Sequence, residues 1–214
     1  MSRGLFVTLE GIEGCGKTTQ ADLLSERVSE YGLEAVRTFE PGGTPVGDAI
    51  RAVVKDGPLG QEMCAETEML LFAASRAELV RRVVVPSVAR GAVVICDRFL
   101  DSTRVYQGNG RGLPSVAIED VNAFASAGVQ PDITVLLDIR TEVSVERLKT
   151  RNGADGAQLD RIEQESVEFH ERIRNGYLEL AARFPERIQR VDAEGAVADV
   201  SDLIWEIIER AVNR

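Results

Sequence analysis

Eight consecutive residues constrain this chain more than any others. Gly11-Ile12-Glu13-Gly14-Cys15-Gly16-Lys17-Thr18 matches the spacing G-x-x-x-x-G-K-[ST] at every fixed position. The segment sits between Leu5–Glu10, an apolar run that predicts a strand, and Lys17–Glu30, where Leu23, Leu24, Arg27 and Val28 predict a helix. Glycine permits the chain to fold back there, so that successive N–H groups point inward at phosphate oxygens. The helix that follows adds its positive end. Lys17 suits the β- and γ-phosphates, and the Thr18 hydroxyl suits Mg²⁺. A chance glycine turn has no need of a strand before it and a helix after it. Gly11, Ile12, Glu13, Gly14, Cys15, Gly16, Lys17, Thr18 and Thr19 are therefore the candidate nucleoside triphosphate-binding residues.

The rest of the chain repeats the strand–helix alternation. Glu34–Phe39 predicts a second strand, broken by Pro41-Gly42-Gly43-Thr44-Pro45. Thr44 is placed to cap a helix carrying Ile50, Val53 and Val54. Gln61 to Ala89 predicts a long helix with Pro86 as a kink or junction, ended by Arg90-Gly91. Ala92–Cys96 and Ile133–Asp138 are continuous apolar runs, as in strands buried on both faces. Between them lies a polar, glycine-rich stretch to Pro114, then a helix to about Ala127. Thr141–Thr150 predicts a helix, 151–160 a mobile loop, and about Ile162 to Arg183 another helix. A strand at Arg187–Val191 and a helix from about Val197 to Ala211 complete the pattern. The expectation is an α/β fold of the P-loop NTPase type, a parallel five-stranded sheet flanked by helices. One domain is expected across residues 1–214, with a short lid at about 148–161.

Composition excludes several functions. A net charge of −10 and a pI near 4.8 disfavour nucleic acid as a partner. No apolar run approaches the roughly 18 residues of a membrane span. His170 is the one histidine, which argues against a histidine-based hydrolase or a multi-histidine metal site; on its charged helix it is expected at the surface. Cys15, Cys64 and Cys96 are odd in number and far apart, so a reducing compartment is expected rather than a disulfide framework. Cys15 reads as a small filler rather than a reactive thiol. The opening Met-Ser-Arg-Gly lacks a signal-peptide layout, and a cytoplasmic location is expected. Of the 25 cations, 22 are arginine, the better bidentate partner for phosphate, although most of these belong to the surface.

A second Mg²⁺ group is expected at the end of a strand beside the loop. Asp97 and Asp138 both fit, and Asp97 is favoured because Arg98 follows it. A GTPase switch needs N-K-x-D, which neither Lys55 nor Lys149 provides. A small-molecule kinase needs only a second pocket and a lid that excludes water. Phe72 and Arg76 share a helix face, a ring to stack on and a cation to hydrogen-bond. The run from Asp97 to Gly108 is dense in hydrogen-bonding side chains directly after a buried strand, where open parallel sheets bind ligands. Two other readings stay open: a P-loop kinase for a different nucleoside monophosphate or a deoxynucleoside, and a regulatory module that binds ATP without turnover.

Taken together, these segments resemble bacterial thymidylate kinases. Leu9 to Thr19, Glu40-Pro41-Gly42-Gly43-Thr44, Leu71 to Arg76, Asp97-Arg98 with Ser102-Thr103 and Tyr106-Gln107-Gly108, and Asp160-Arg161-Ile162-Glu163 carry the likeness, over roughly residues 5 to 192. The resemblance implies ATP- and Mg²⁺-dependent phosphorylation of dTMP to dTDP for dTTP synthesis, by a homodimer. It implies that Thr18 and Asp97 hold the metal and that Phe72 stacks on thymine. Arg76 and Gln107 would bond the base edge, with Thr103 near it and Ser102 also at the substrate. Arg98 would hold the dTMP phosphate with help from Arg51, and Tyr106 would sit against the sugar and disfavour a ribose. Glu13 and Glu40 would approach the sugar or the acceptor phosphate. With no arginine inside the P-loop, the catalytic arginine comes from the lid set Arg147, Arg151 and Arg161, beside Lys17 and Arg98. One position departs from the pattern: Phe39 stands where the family has arginine, so that role is absent or passes to Arg37 on the same strand face.

The acceptor phosphate is already ionised near neutral pH, so positioning and charge stabilisation suffice and no general base is required. Lys17→Ala should abolish turnover while leaving the circular dichroism spectrum native; near-wild-type turnover in folded protein would remove the P-loop assignment.

Overall fold

A computed structural model describes residues 4–56, 63–155 and 161–213, without the side chains of 56 and 152–155. Among the described residues, five strands form one parallel sheet. They are β1 (Leu5–Glu10), β2 (Ala35–Phe39), β3 (Val93–Asp97), β4 (Ile133–Asp138) and β5 (Ile188–Asp192), in the spatial order β2-β3-β1-β4-β5. β1 lies at the centre, with Leu9 opposite Asp97 of β3 and Glu10 opposite Leu136 of β4. The phosphate loop, the end of β3 and the end of β4 therefore open on one edge of the sheet.

Strand alternation sends neighbouring side chains to opposite faces, and both faces are buried. Val7, Leu9, Val93 and Ile95 face a cluster built with Leu24 and Val28 of α1 (Lys17–Glu30) and Ile204, Trp205 and Ile208 of α9 (Val197–Val212). Phe6, Val94 and Cys96 face a second cluster with Leu79, Val84, Val88, Phe99 and Leu100. Thr8 is buried in the middle of this apolar strand, and its hydroxyl is satisfied by Thr134 at 2.8 Å.

The loop and helix ends follow their local chemistry. Thr44 accepts from the Gly47 N–H at 3.0 Å and caps α2 (Pro45–Arg51), as its position predicted. The long helix is α3 (Ala65–Leu79), a π-helical turn at Val80–Val84 and α4 (Val85–Ala89). Pro86 removes an N–H and crowds the preceding turn, and the wider π turn just before it accommodates both.

Three expectations are corrected. The stretch after β3 is helical: α5 (Leu100–Thr103) runs into a π-helical segment, Arg104–Gly110. Its start is capped from a distance, because the Phe99 and Ser102 N–H groups donate to Glu10 Oε1 at 2.8 and 3.3 Å. A β-carbon on Gly110 would lie 2.8 Å from the Phe169 ring, so this glycine serves close packing rather than a turn. Second, α7 (Thr141–Asp155) continues five residues into the stretch read as a loop; 156–160 lie outside the described residues. Third, α8 (Val167–Arg183) begins five residues later than expected, at the Ser166 cap, whose hydroxyl accepts from the Phe169 N–H at 3.2 Å. The remaining helix, α6 (Ser115–Ser126), ends one residue before the expected position.

Phe6 is fully buried, edge to face with Phe99 at 5.0 Å. Phe6→Ala should cost about 3–5 kcal/mol, read as a lower urea midpoint at unchanged slope.

Candidate active site

The cleft above the sheet edge has a volume of about 680 Å³, within the range of small-molecule sites. The phosphate loop forms one wall. Gly11, Gly14 and Gly16 all take positive φ, at 143, 71 and 95°, and a β-carbon on Gly11 would lie 2.4 Å from the Leu137 carbonyl. No side chain caps the start of α1, so its first N–H groups face the cleft. Gly14, Gly16, Lys17, Thr18 and Thr19 line the cleft, while Gly11, Ile12 and Cys15 lie behind it. Lys17 is folded over the loop, donating to the Gly11 and Ile12 carbonyls at 3.1 and 2.9 Å. Burial pushes the Cys15 thiol up despite Lys17 and Arg98, consistent with a filler role.

The register of β1 and β3 brings Thr18 and Asp97 together: the hydroxyl donates to Asp97 Oδ2 at 2.8 Å. A hydroxyl beside a carboxylate is the hard-oxygen set that Mg²⁺ accepts, with its other positions left to water and phosphate. Asp138, the other strand-end candidate, is instead held by Arg174 at 2.8 Å and Arg190 at 2.6 Å.

Arg98 is the hinge of the second half of the site. Its φ of 71° is unusual for a non-glycine residue and turns the side chain back over β1. The guanidinium donates to Glu13 Oε1 at 2.8 Å and to the Gly11 carbonyl and Ser102 hydroxyl, both at 3.1 Å. It also lies 4.9 Å over the Tyr106 ring, whose hydroxyl donates to Glu13 Oε1 at 2.7 Å. Burial works to raise the Glu13 carboxyl, but Arg98, His170, Lys17 and Tyr106 outweigh it and hold Glu13 well below the usual carboxylate range.

Phe72, Arg76, Thr103 and Gln107 line the far end of the cleft. Arg76 is only 2% exposed and spends its donors on Glu40 Oε2, Asn122 Oδ1 and Thr103 Oγ1, at 2.7, 2.6 and 2.9 Å. Gln107 is fixed by Glu68 at 2.8 Å. Arg51 donates to the Pro41 carbonyl at 3.0 Å and lies 5.2 Å over the Phe39 ring. Arg37 lines the cleft and pairs with Asp22 of α1. The arginines expected from the lid part ways. Arg147 and Arg151 line the cleft; Arg147 donates to the Ala193 and Glu194 carbonyls, and Arg151 to Glu163 at 2.6 Å. Arg161 instead pairs with Glu68 and is not part of the cleft wall.

His170 is a correction. It is 2% exposed, with Nδ1 3.4 Å from Glu13 Oε2, because α8 turns it inward beneath the phosphate loop. The carboxylate that meets it, Glu13, lies on another element, so the pattern of the helix itself does not reveal the burial. Glu10, Glu68, Asn122 and Tyr177 also support the site without having been expected. Glu10 accepts from Ser102 Oγ at 2.6 Å and Tyr177 at 2.8 Å. Their signal is a polar residue at an otherwise apolar position, visible for Glu10 at the end of its strand and for Glu68 within the run Glu68-Met69-Leu70-Leu71.

The chain matches the thymidylate kinase family over residues 9–204. It belongs to that family. A thymidylate kinase of Citrifermentans bemidjiense is 47% identical over 211 residues, covering 98% of this chain and 93% of that protein. One from Pseudomonas putida is 44% identical, covering 97% and 98%. The crystal structure of thymidylate kinase from Ehrlichia chaffeensis superposes with a TM-score of 0.76 at 32% identity, covering 97% of this chain and 99% of that one. As a family member this chain is an ATP-dependent kinase that phosphorylates dTMP to dTDP, on the route to dTTP.

Glu40 gives the site a pH signature. Burial raises its carboxyl to about 7 against the pull of Arg76. Its ordinary value is 4.5, so the folded protein holds the extra proton between the two. That contribution is complete below 4.5 and lost as pH rises through 7. The stability difference between wild type and Glu40→Gln should therefore shift against wild type from about pH 5 to 8, by of order 2 kcal/mol. A difference that stays flat in urea titrations across that range would remove the effect.

Proposed function

We propose that one kinase domain spans the chain and divides the cleft into donor and acceptor halves. The donor half is the phosphate loop with Lys17, Thr18, Thr19 and Asp97. Thr18 and Asp97 would hold Mg²⁺, which when bound neutralises charge on the donor phosphates. The acceptor half is centred on Arg98, and the bond between Arg98 and Glu13 at 2.8 Å is the observation that carries this reading. It sets a guanidinium from the residue after β3 directly against the phosphate loop, where an acceptor phosphate can meet the donor in line. Arg51 assists Arg98; Glu13, Glu40, Ser102 and Tyr106 frame the sugar and phosphate. Phe72 stacks on the base, with Arg76, Thr103 and Gln107 at its edge.

In the reaction an acceptor phosphate oxygen attacks the γ-phosphorus, and the bond to the β–γ bridging oxygen breaks to release ADP. Lys17 and an arginine of the lid, about 148–161, neutralise the charge that spreads over the moving group. The placement of the candidates favours Arg151. It lines the cleft and extends from α7 beside Arg147, whose guanidinium is already engaged by the Ala193 and Glu194 carbonyls. Arg161 is engaged with Glu68 instead.

A homodimer is part of the proposal. α3 and α6 pack together and leave Leu70, Val116 and Phe124 exposed, Phe124 by 83%. A second copy covering that face accounts for large apolar side chains in water. A cytoplasmic location is supported by three unpaired cysteines, Cys15, Cys64 and Cys96.

Arg151→Ala should lower kcat for dTMP about a hundredfold or more with KM for dTMP little changed, and Arg161→Ala less than about tenfold, in a coupled ADP assay. The opposite ranking would reassign the lid arginine to Arg161.

A further inference from the structure

The two oxygens of Glu13 have unequal surroundings. Oε1 accepts from Arg98 at 2.8 Å and from the Tyr106 hydroxyl at 2.7 Å. Oε2 is buried and has no hydrogen-bond partner among the described residues. The atom that faces it is His170 Nδ1, 3.4 Å away, which is also buried and has no hydrogen-bond partner among the described residues. His170 is not part of the cleft wall. Its ring stands edge to face against Phe169, centroids 5.8 Å apart at 87°, and it sits one turn inside α8, just after the Ser166 cap. Packing and helix together fix where Nδ1 points.

Two buried polar atoms that face each other, each otherwise unsatisfied, have one economical solution. A proton on Nδ1 donates to Oε2, and a closure of about 0.3 Å brings the pair into ordinary hydrogen-bond range. The consequence reaches the cleft, because a carboxylate is rigid and planar. Holding Oε2 fixes the plane in which Oε1 meets Arg98 and Tyr106.

We propose that His170 is a positioning residue for the acceptor nucleotide, acting through Glu13 on Arg98 and Tyr106. This inference rests on the reading of those residues as acceptor ligands. It assigns a role to the one histidine of the chain and explains why a histidine occupies a buried site that an apolar ring of similar size would fill. Glu13 belongs to the phosphate loop by its backbone, but its side chain meets Arg98 and Tyr106, so the effect falls on dTMP rather than on ATP.

The test is steady-state kinetics on four variants: His170→Phe, His170→Asn, Glu13→Ala and the double variant Glu13→Ala/His170→Phe. Phenylalanine keeps the ring and removes the donor; asparagine places an amide N–H close to the position of Nδ1. His170→Phe should raise KM for dTMP about tenfold, with kcat and KM for ATP within about twofold. His170→Asn should stay within about threefold of wild type, and in the Glu13→Ala background His170→Phe should change KM for dTMP less than about twofold. If His170→Phe does not fold, His170→Leu takes its place with the same expectation. An unchanged KM for dTMP, equal losses for asparagine and phenylalanine, or an effect that persists without Glu13 overturns the inference. A Glu13→Ala variant with unchanged KM for dTMP overturns the acceptor-site reading itself, and the positioning role with it.

Discussion

A parallel ladder that pairs Leu9 with Asp97 governs the rest of this molecule. Because β1 and β3 run side by side with their ends level, the phosphate loop leaving one strand meets the carboxylate ending the other. Thr18 and Asp97 touch across that junction, and Arg98, the next residue, swings back onto the loop. A slip of one residue would exchange the side chains packed on the two buried faces, setting Phe6 and Val94 where Val7 and Ile95 fit, so close packing on both faces enforces the site's geometry.

Buried charge is the second organising feature. Glu10, Glu13, Glu40 and Glu68 are all buried around the cleft. Glu13, Glu40 and Glu68 each meet arginine, from Arg98, Arg76, and Arg111 with Arg161 respectively, while Glu10 is satisfied by hydroxyls and backbone. Such pairs contribute little net stability, since desolvation offsets attraction. Their value here is directional: each carboxylate aims a guanidinium or amide that lines the cleft, with most of the ordering done before a ligand arrives. The arginine-rich, lysine-poor composition fits this use, because a planar fork can serve a carboxylate and a ligand together.

Legibility followed the range of the interactions. Strand β1, helix α1 and the phosphate loop were readable to the residue, since apolar runs, helical spacing and glycine all act within a few positions. Thr44 announced its cap because its acceptor and donor are three residues apart. The segment from Leu100 to Gly110 was not readable as helix, because its cap is the side chain of Glu10, 89 positions from Phe99. The burial of His170 is hidden from the sequence for the same reason: the carboxylate it faces, Glu13, lies on another element.

The sequence by itself determined the alternation of strands and helices, the phosphate cradle, and the set of residue types required by a nucleotide kinase. These depend on local periodicity, on glycine's freedom of φ and on chemistry that each side chain carries alone. The tertiary structure decided which of those residues meet. It set Asp97, not Asp138, beside Thr18. It turned Arg161 onto Glu68 while leaving Arg151 on the cleft wall, and it buried His170 against Glu13. Those choices rest on sheet order and helix packing, which bring together residues more than 70 positions apart, and no local pattern encodes such meetings one by one.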